Sequence, residues 1–344
     1  MLAFIFFLPL FALAGLVTGQ PTEDSDEDQL PQADDSLDTD GLLNNDIINA
    51  PDTVSADDNL IRVATNQRFW GSDDGEEITG HEGNDIIGGM GGNDFIDAGR
   101  GEDLVYGGNG NDVINGGADD DRLLGGDGDD QIFGGLGNDM LYGGRGTDTL
   151  FGDLGDDVLS GDADDLLYGE DGSDVLRFNE GGTGGVAYGG SGDDVLFSGG
   201  GGVILSGGAG SDLFWSSSQD DPISANGDLN DVIVSDYDPN EDILVLQLTN
   251  GPDDNPAHLE QITPDMFSFT VTNVTTELGT AARVDLYFND GGLDLSSVTK
   301  GGSLTLVGID ASEVNTDEIY VVIRDENAAL EAQVTAPIIR AAHA

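Results

Sequence analysis

Cysteine and positive charge are the scarcest features of this sequence. No residue is cysteine, so disulfide bonds and thiol catalysis are excluded. Lysine and arginine total 10 against 68 aspartates and glutamates, which gives a formal net charge of −58 at pH 7. Because phosphate backbones are bound through basic side chains, this balance excludes nucleic acid as a partner. Since like charges repel one another, a compact fold at this charge needs bound cations.

Long hydrophobic runs are also scarce, and the clearest one begins the chain. Residues 1–19 carry no charged side chain but fall short of the ~20 apolar residues that comfortably span a bilayer as a helix. Two interpretations stay open, a secretory signal and an uncleaved anchor that contacts the membrane. Both predict a secreted or cell-surface protein. Residues 20–58 are acidic and poor in aromatics, which predicts a disordered linker. Residues 59–79 are predicted to form an N-terminal cap with a degenerate repeat.

Glycine, in contrast, is abundant and confined to one block. Of the 54 glycines, 43 lie between Gly71 and Gly210. From Gly80 to Ser160 the chain divides into nine consecutive units of nine residues, such as GGNGNDVIN (107–115) and GGLGNDMLY (134–142). An eight-residue unit follows at 161–168, residues 178–188 break the register, and three further units begin at 189, 198 and 207. The repeat array is therefore assigned to residues 80–215.

Two columns of the aligned units carry the physical signal. The sixth position is acidic throughout the first nine units, and the eighth position is apolar in every unit. The apolar column predicts a thin continuous core that a single unit is too small to bury. Members of the acidic column are Asp85, Asp94, Asp103, Asp112, Asp121, Asp130, Asp139, Asp148, Asp157, Asp165, Asp174, Asp194 and Asp212.

This pattern resembles the G-G-x-G-x-D-x-U-x nonapeptide of the repeats-in-toxin (RTX) family, which binds calcium in a parallel β-structure. The resemblance implies an all-β fold, with a right-handed parallel β-roll (a β-solenoid) followed by a β-rich C-terminal capping domain. In the family, two nonapeptides make one turn; each G-G-x-G-x-D segment turns the chain and each x-U-x segment is a short strand. Calcium is a hard cation that takes six to eight oxygen ligands.

About ten Ca²⁺ ions are expected, each held by a sixth-position aspartate and by backbone carbonyls of the glycine-rich turns. The glycines expected to supply those carbonyls are Gly83, Gly92, Gly101, Gly108, Gly110, Gly126, Gly128, Gly135, Gly137, Gly144, Gly146, Gly155, Gly172, Gly190, Gly192, Gly208 and Gly210.

Departures from the pattern predict weaker points in the array. Val203 occupies a sixth position, so that turn is expected to lack its carboxylate ligand. Asp119 replaces a fourth-position glycine, and the break at 178–188 predicts an interruption of the ladder.

The C-terminal region, residues 216–344, has fewer glycines and six alternating apolar segments that read as strands. By resemblance it caps the open end of the roll. The final segment is either a type I secretion signal, which implies the type I machinery as a partner, or a frayed terminus.

No catalytic motif is present: the three histidines form no zinc-binding H-E-x-x-H pair, and no phosphate-binding loop occurs. The sequence therefore predicts no enzyme, but an extracellular protein whose calcium binding is coupled to folding. One alternative is an adhesin or surface-layer component that binds glycan or itself through the C-terminal domain. A weaker alternative is a hydrolase or polysaccharide-modifying site in 216–344 that uses Asp285 and Asp290.

Overall fold

The computed structural model describes residues 60–62, 66–162, 164–179, 184–199, 201–217, 232–250, 267–276, 279–288, 303–316, 319–325, 338–340 and 342–343. The chain divides into two compact units between Asp174 and Val175. The predicted N-terminal segment, the acidic linker and Asp290 lie outside the described residues, as does most of the C-terminal tail. Among the described residues, no helix is long and apolar enough to cross a membrane.

The amino-terminal unit is built from short strands that lie alternately in two parallel sheets. One sheet has the order β1-β3-β5-β7-β9-β11-β13, and the other has the order β2-β4-β6-β8-β10-β12. The strands are β1 (Leu60–Arg62), β2 (Arg68–Trp70), β3 (Glu77–Glu82), β4 (Ile86–Gly91), β5 (Phe95–Arg100), β6 (Leu104–Asn109), β7 (Val113–Ala118), β8 (Arg122–Asp127), β9 (Gln131–Leu136), β10 (Met140–Arg145), β11 (Thr149–Leu154), β12 (Val158–Gly161) and β13 (Leu166–Asp171).

Most repeat strands span six residues rather than the three expected. Strand β6 covers positions seven to nine of one unit and positions one to three of the next. Its glycine-containing half stays in the sheet although Gly108 has a φ of +116°, because Gly108 pairs with Gly126 and Asn109 pairs with Asp127 in the neighbouring strand. The expectation that the whole G-G-x-G-x-D segment turns the chain is therefore wrong for its first three residues. Only positions four to six form the turn.

The core is the predicted eighth-position column. Its side chains point between the two sheets of the unit and are fully buried, as the alternating apolar and polar positions of each strand require. The members of this column that the amino-terminal unit contains, with Ile78 of the degenerate unit, are each 0% exposed: Ile87, Ile96, Val105, Ile114, Leu123, Ile132, Leu141, Leu150, Leu159 and Leu167.

Ninth-position side chains lie on the outer faces of the sheets, one above another. On one face, the rings of Phe133 and Phe151 stack with their centroids 5.0 Å apart, and those of Phe151 and Tyr168 stack at 4.9 Å. Stacking of this kind adds stability beyond the buried area alone.

The carboxy-terminal unit continues the same strand type and then changes pairing. One of its sheets has the order β15-β17-β19-β23-β22-β21-β26 and the other has the order β14-β16-β18-β20-β24-β25. Antiparallel pairs join β21 to β22, β22 to β23 and β24 to β25. Its strands are β14 (Val175–Phe178), β15 (Val186–Ser191), β16 (Val195–Ser198), β17 (Ile204–Ala209), β18 (Leu213–Ser217), β19 (Val232–Val234), β20 (Ile243–Asn250), β21 (Phe267–Thr276), β22 (Gly279–Phe288), β23 (Ser303–Val307), β24 (Ile319–Asp325), β25 (Ile338–Arg340) and β26 (Ala342–His343). The six strands predicted after residue 216 are thereby confirmed.

Candidate metal centre

Each sixth-position aspartate lies at the end of a turn, immediately before the next strand. Asp103, for example, precedes β6 and is 2% exposed. Burial of this kind holds for the whole predicted column, from Asp85 to Asp212. Ionised carboxylates are almost never buried unless they are paired or bind a cation. The aspartates of this column are therefore candidate ligands of a cation.

One oxygen of each carboxylate is used by the fold itself. Asp121 Oδ1 accepts the backbone N–H of Asp103 at 2.8 Å, and Asp139 Oδ1 accepts that of Asp121 at 2.7 Å. The partners are 18 residues apart, or 17 where the eight-residue unit intervenes, as in the pair Asp148 and Asp165. In the carboxy-terminal unit, Asp212 Oδ1 likewise accepts the N–H of Asp194. These bonds form a ladder that joins consecutive turns on each edge.

The other oxygen of many of these carboxylates is buried and accepts no hydrogen bond. This holds for Oδ2 of Asp85, Asp94, Asp103, Asp112, Asp121, Asp130, Asp139, Asp148 and Asp157. An unmet buried carboxylate oxygen is costly, because the group has given up its hydration without replacement. A cation that binds these oxygens removes that cost.

Backbone oxygens lie beside these unmet carboxylate oxygens. The point at which a Cβ on Gly107 would sit is 2.5 Å from Asp112 Oδ2 and 2.6 Å from the Gly125 carbonyl oxygen of the next turn. At Gly116 the corresponding distances are 2.5 Å to Asp121 Oδ2 and 2.8 Å to the Gly134 carbonyl oxygen. Oxygens of two turns therefore converge where glycine leaves room, and an all-oxygen donor set suits calcium.

The first-position carbonyls were missed by the sequence analysis, which chose the second and fourth positions. The structure singles them out, since its strand register pairs Tyr106 with Leu124 and Gly108 with Gly126 but has no pair at Gly107. The carbonyls of Gly108 and Gly110, which were predicted as ligands, lie against the glycines one turn later. Their role as ligands stays a prediction.

Burial also changes the acidity of the column. Loss of hydration raises the pKa of Asp112 to about 7 and that of Asp121 to about 8, against the opposing effect of the N–H bonds they accept. Neighbouring aspartates of the ladder raise these pKa values further. A divalent cation would favour the ionised form instead, because opposite charge stabilises a carboxylate.

A second ladder, at the fifth position, was not recognised in the sequence. Asn111 N–H donates to Asn93 Oδ1 at 3.0 Å, and Asp129 N–H donates to Asn111 Oδ1 at 3.1 Å. The direction is opposite to that of the aspartate ladder, since the later turn donates to the earlier one. Asn, Asp, Ser, Thr and Glu share this column, and that mixture hides the common acceptor. The two ladders together fix each turn on both of its neighbours.

Within the described ranges, no three or more His, Cys, Asp or Glu side chains form a group that could hold a metal ion. The side-chain part of each candidate centre is the aspartate column, and backbone carbonyls supply the other oxygens. At the Val203 position the side chain is apolar and 1% exposed, and the expectation that this turn lacks a carboxylate ligand stays a prediction.

Comparison with protein families decides what these turns are. The model of the RTX calcium-binding nonapeptide repeat, four copies long, matches residues 70–105, 106–141, 133–165, 142–176, 160–182 and 188–221. Residues 70–182 and 188–221 therefore match RTX calcium-binding nonapeptide repeats. The repeats form a parallel β-solenoid, as the resemblance implied, and the matched repeat is a calcium-binding type.

Two solved structures are similar to this chain. A subunit of the mannuronan C5-epimerase of Azotobacter vinelandii matches at 23% identity and a TM-score of 0.23, over 59% of this chain and 77% of that one. The extracellular lipase LipA of Serratia marcescens matches at 20% identity and a TM-score of 0.18, over 63% of this chain and 39% of the lipase. No curated protein sequence matches the chain.

Proposed function

We propose that this protein is an extracellular structural module whose RTX array folds when it binds calcium. The observation that supports the proposal is the set of nine buried Oδ2 atoms that accept no hydrogen bond. These oxygens, with the first-position carbonyls of the next turn, are the proposed ligands, and about ten ions are expected for the whole array.

The fold depends on the ions because each repeat buries little apolar surface. One apolar side chain per nonapeptide contributes roughly 1.5–3 kcal/mol on burial. Fixing nine residues costs several times that amount in backbone entropy. Bound cations add stability by mass action and neutralise the repulsion within the aspartate column. Without calcium at neutral pH, the array is expected to be an expanded polyanion.

An extracellular setting suits such sites. Calcium sites of extracellular modules typically have dissociation constants of about 10⁻⁴–10⁻³ M, far above cytosolic calcium. The chain would then stay unfolded during export and fold outside. The secretion route, a glycan partner and membrane contact by residues 1–19 stay predictions.

A structural role is proposed rather than a catalytic one. Asp285, the described member of the suggested acid pair, is held by Arg283, whose Nε donates to Asp285 Oδ1 at 2.8 Å. A carboxylate in such a pair has its charge already balanced. No observation on the described residues favours the adhesive alternative, which stays a prediction.

The test is a calcium titration of the full chain followed by far-UV circular dichroism, with matched magnesium controls. We expect a cooperative gain of β-sheet signal at submillimolar to millimolar calcium and none with magnesium, whose octahedral preference suits these flexible turns poorly. A β-sheet signal that is complete in chelator at neutral pH would contradict the proposal.

A further inference from the structure

One aspartate of the column differs from its neighbours in how its second oxygen is used. Asp165 is 0% exposed, and its Oδ1 accepts the N–H of Asp148 at 2.8 Å like any other member of the ladder. Its Oδ2, however, accepts the backbone N–H of Asp162 at 2.6 Å. In Asp148 and Asp157, the adjacent members, Oδ2 is buried and accepts no hydrogen bond. The Asp165 carboxylate is therefore satisfied on both oxygens by backbone of its own unit and of the turn before.

The cause is the length of the unit. Four residues separate the first glycine from the aspartate in GDLGDDVLS (152–160), but only three do so in GDADDLLY (161–168). The shorter turn brings the N–H of Asp162 onto the carboxylate, and it has one fewer backbone carbonyl to offer a cation.

The atoms beside the first glycine of the unit also differ between the two units. Beside Gly152, the point at which a Cβ would sit is 2.8 Å from a carbonyl oxygen of the next turn. Beside Gly161, the corresponding point has Asp165 Oδ2 at 2.8 Å and Leu167 Cδ2 at 3.0 Å. A methyl carbon is thus among the three nearest atoms beside Gly161, where a carbonyl oxygen is among them beside Gly152, and carbon offers a cation no ligand.

The same closure occurs at two acids outside the regular nonapeptides. Ser72 N–H donates to Glu76 Oε1 at 3.1 Å, in the degenerate unit before the array. Asp238 N–H donates to Asp242 Oδ2 at 2.7 Å, after the last repeat. In each case the donor lies three or four residues before the acid. The closure therefore occurs outside the regular units, both in the eight-residue unit and in a nine-residue unit whose sixth position is glutamate.

We propose that the Asp165 turn binds no calcium and is held instead by its own backbone hydrogen bond from Asp162. This inference rests on the proposed function, since it states which turn of the array does not take part in calcium binding. The Asp162 N–H does there what a cation would do at Asp148, so closure of this turn in the folded array requires no calcium.

Equilibrium dialysis of the full chain with saturating radiolabelled calcium tests the inference by counting bound ions. The main variant inserts a glycine between Ala163 and Asp164, which gives GDAGDDLLY and restores the length of the preceding unit. We expect this variant to bind one ion more than the wild type. Asp165→Asn should bind the same number as the wild type, and the matched control Asp148→Asn at least one fewer.

Two outcomes would overturn the inference: loss of an ion in Asp165→Asn that equals the loss in Asp148→Asn, or no gain in the insertion variant. If Asp165→Asn gives no β-sheet signal, the insertion variant decides alone. A wild-type chain that binds no calcium would overturn the proposed function and this inference with it. That result is visible in the wild type alone, so the two failures are distinguishable.

Discussion

At the scale of single residues, the fourth-position glycine meets the strictest steric demand in the repeat. Gly110 has a φ of +128°, and a Cβ placed there would collide with the carbonyl oxygen of Gly92 one turn earlier. Both the backbone conformation and the spacing of the turns therefore exclude a side chain. Asp119, at the equivalent position of another unit, is accommodated at a φ of +78°.

Gly110→Ala is expected to destabilise the calcium-loaded chain by more than about 1 kcal/mol, because alanine is strained at this φ and has no room for its methyl group. Urea unfolding at saturating calcium measures the change. The control is Asn109→Ala, an exposed neighbour at the end of β6, which should stay within about 0.5 kcal/mol of the wild type. Equal stabilities for the two variants would contradict this account of the turn.

The residue scale is also where sequence-based prediction reached its limit. The aspartates of the regular units were predicted, because only aspartate recurs at that position. Glu76 and Asp242 were missed as its ends, since the first lies in a degenerate unit and the second in a turn without the nonapeptide pattern. The metal-free closure at Asp165 was not predictable, because it depends on where one backbone N–H points.

At the scale of elements, each repeat strand contributes one side chain to the core. Leu123 in β8 is fully buried between Val105 and Leu141 of the flanking strands, with which it pairs in register. The same strand exposes Arg122 on the outer face. The alternation was predicted from the eighth-position column, but the length of the strands was not. Glycines are depleted in ordinary strands, and here they continue the strand because stacked copies pair with one another.

Leu123→Ala should lower the free energy of unfolding by about 2–5 kcal/mol, since the cavity lies in a core only one side chain wide. Denaturant unfolding at saturating calcium gives the value. Arg122→Ala serves as the surface control and should change stability little. A loss in Leu123→Ala as small as in the control would mean that the column is not the core.

At the scale of the whole molecule, the main physical feature is the excess of negative charge. The chain has a formal net charge of −58, and part of that charge belongs to buried aspartates, so protons and calcium compete for the same oxygens. Burial raises the pKa of Asp157 to about 7 and that of Asp139 to about 6. In the unfolded chain an aspartate titrates near a pKa of about 3.9. The folded chain without calcium therefore binds more protons than the unfolded chain between these values.

Stability without calcium is expected to rise as the pH falls from about 8 to about 5, because the state that binds more protons gains from acid. Circular dichroism in chelator should show β-sheet signal at pH 5 that is absent at pH 8. With calcium the trend reverses, and the midpoint of the calcium titration should move to higher concentration at pH 5. A chelated chain that gains structure with rising pH would contradict the buried carboxylate column.

Because consecutive strands of the array alternate between two sheets, its odd-numbered strands lie in one sheet and its even-numbered strands in the other. Phe133, Phe151 and Tyr168 stack because they are separated by 18 and 17 residues, which is one full turn. Removal of one full turn keeps every later strand in its own sheet. Removal of a single nonapeptide moves each later strand to the opposite sheet and carries its outer side chains to the other face. Insertions and deletions in whole turns therefore preserve surface patterns that odd numbers of repeats would exchange.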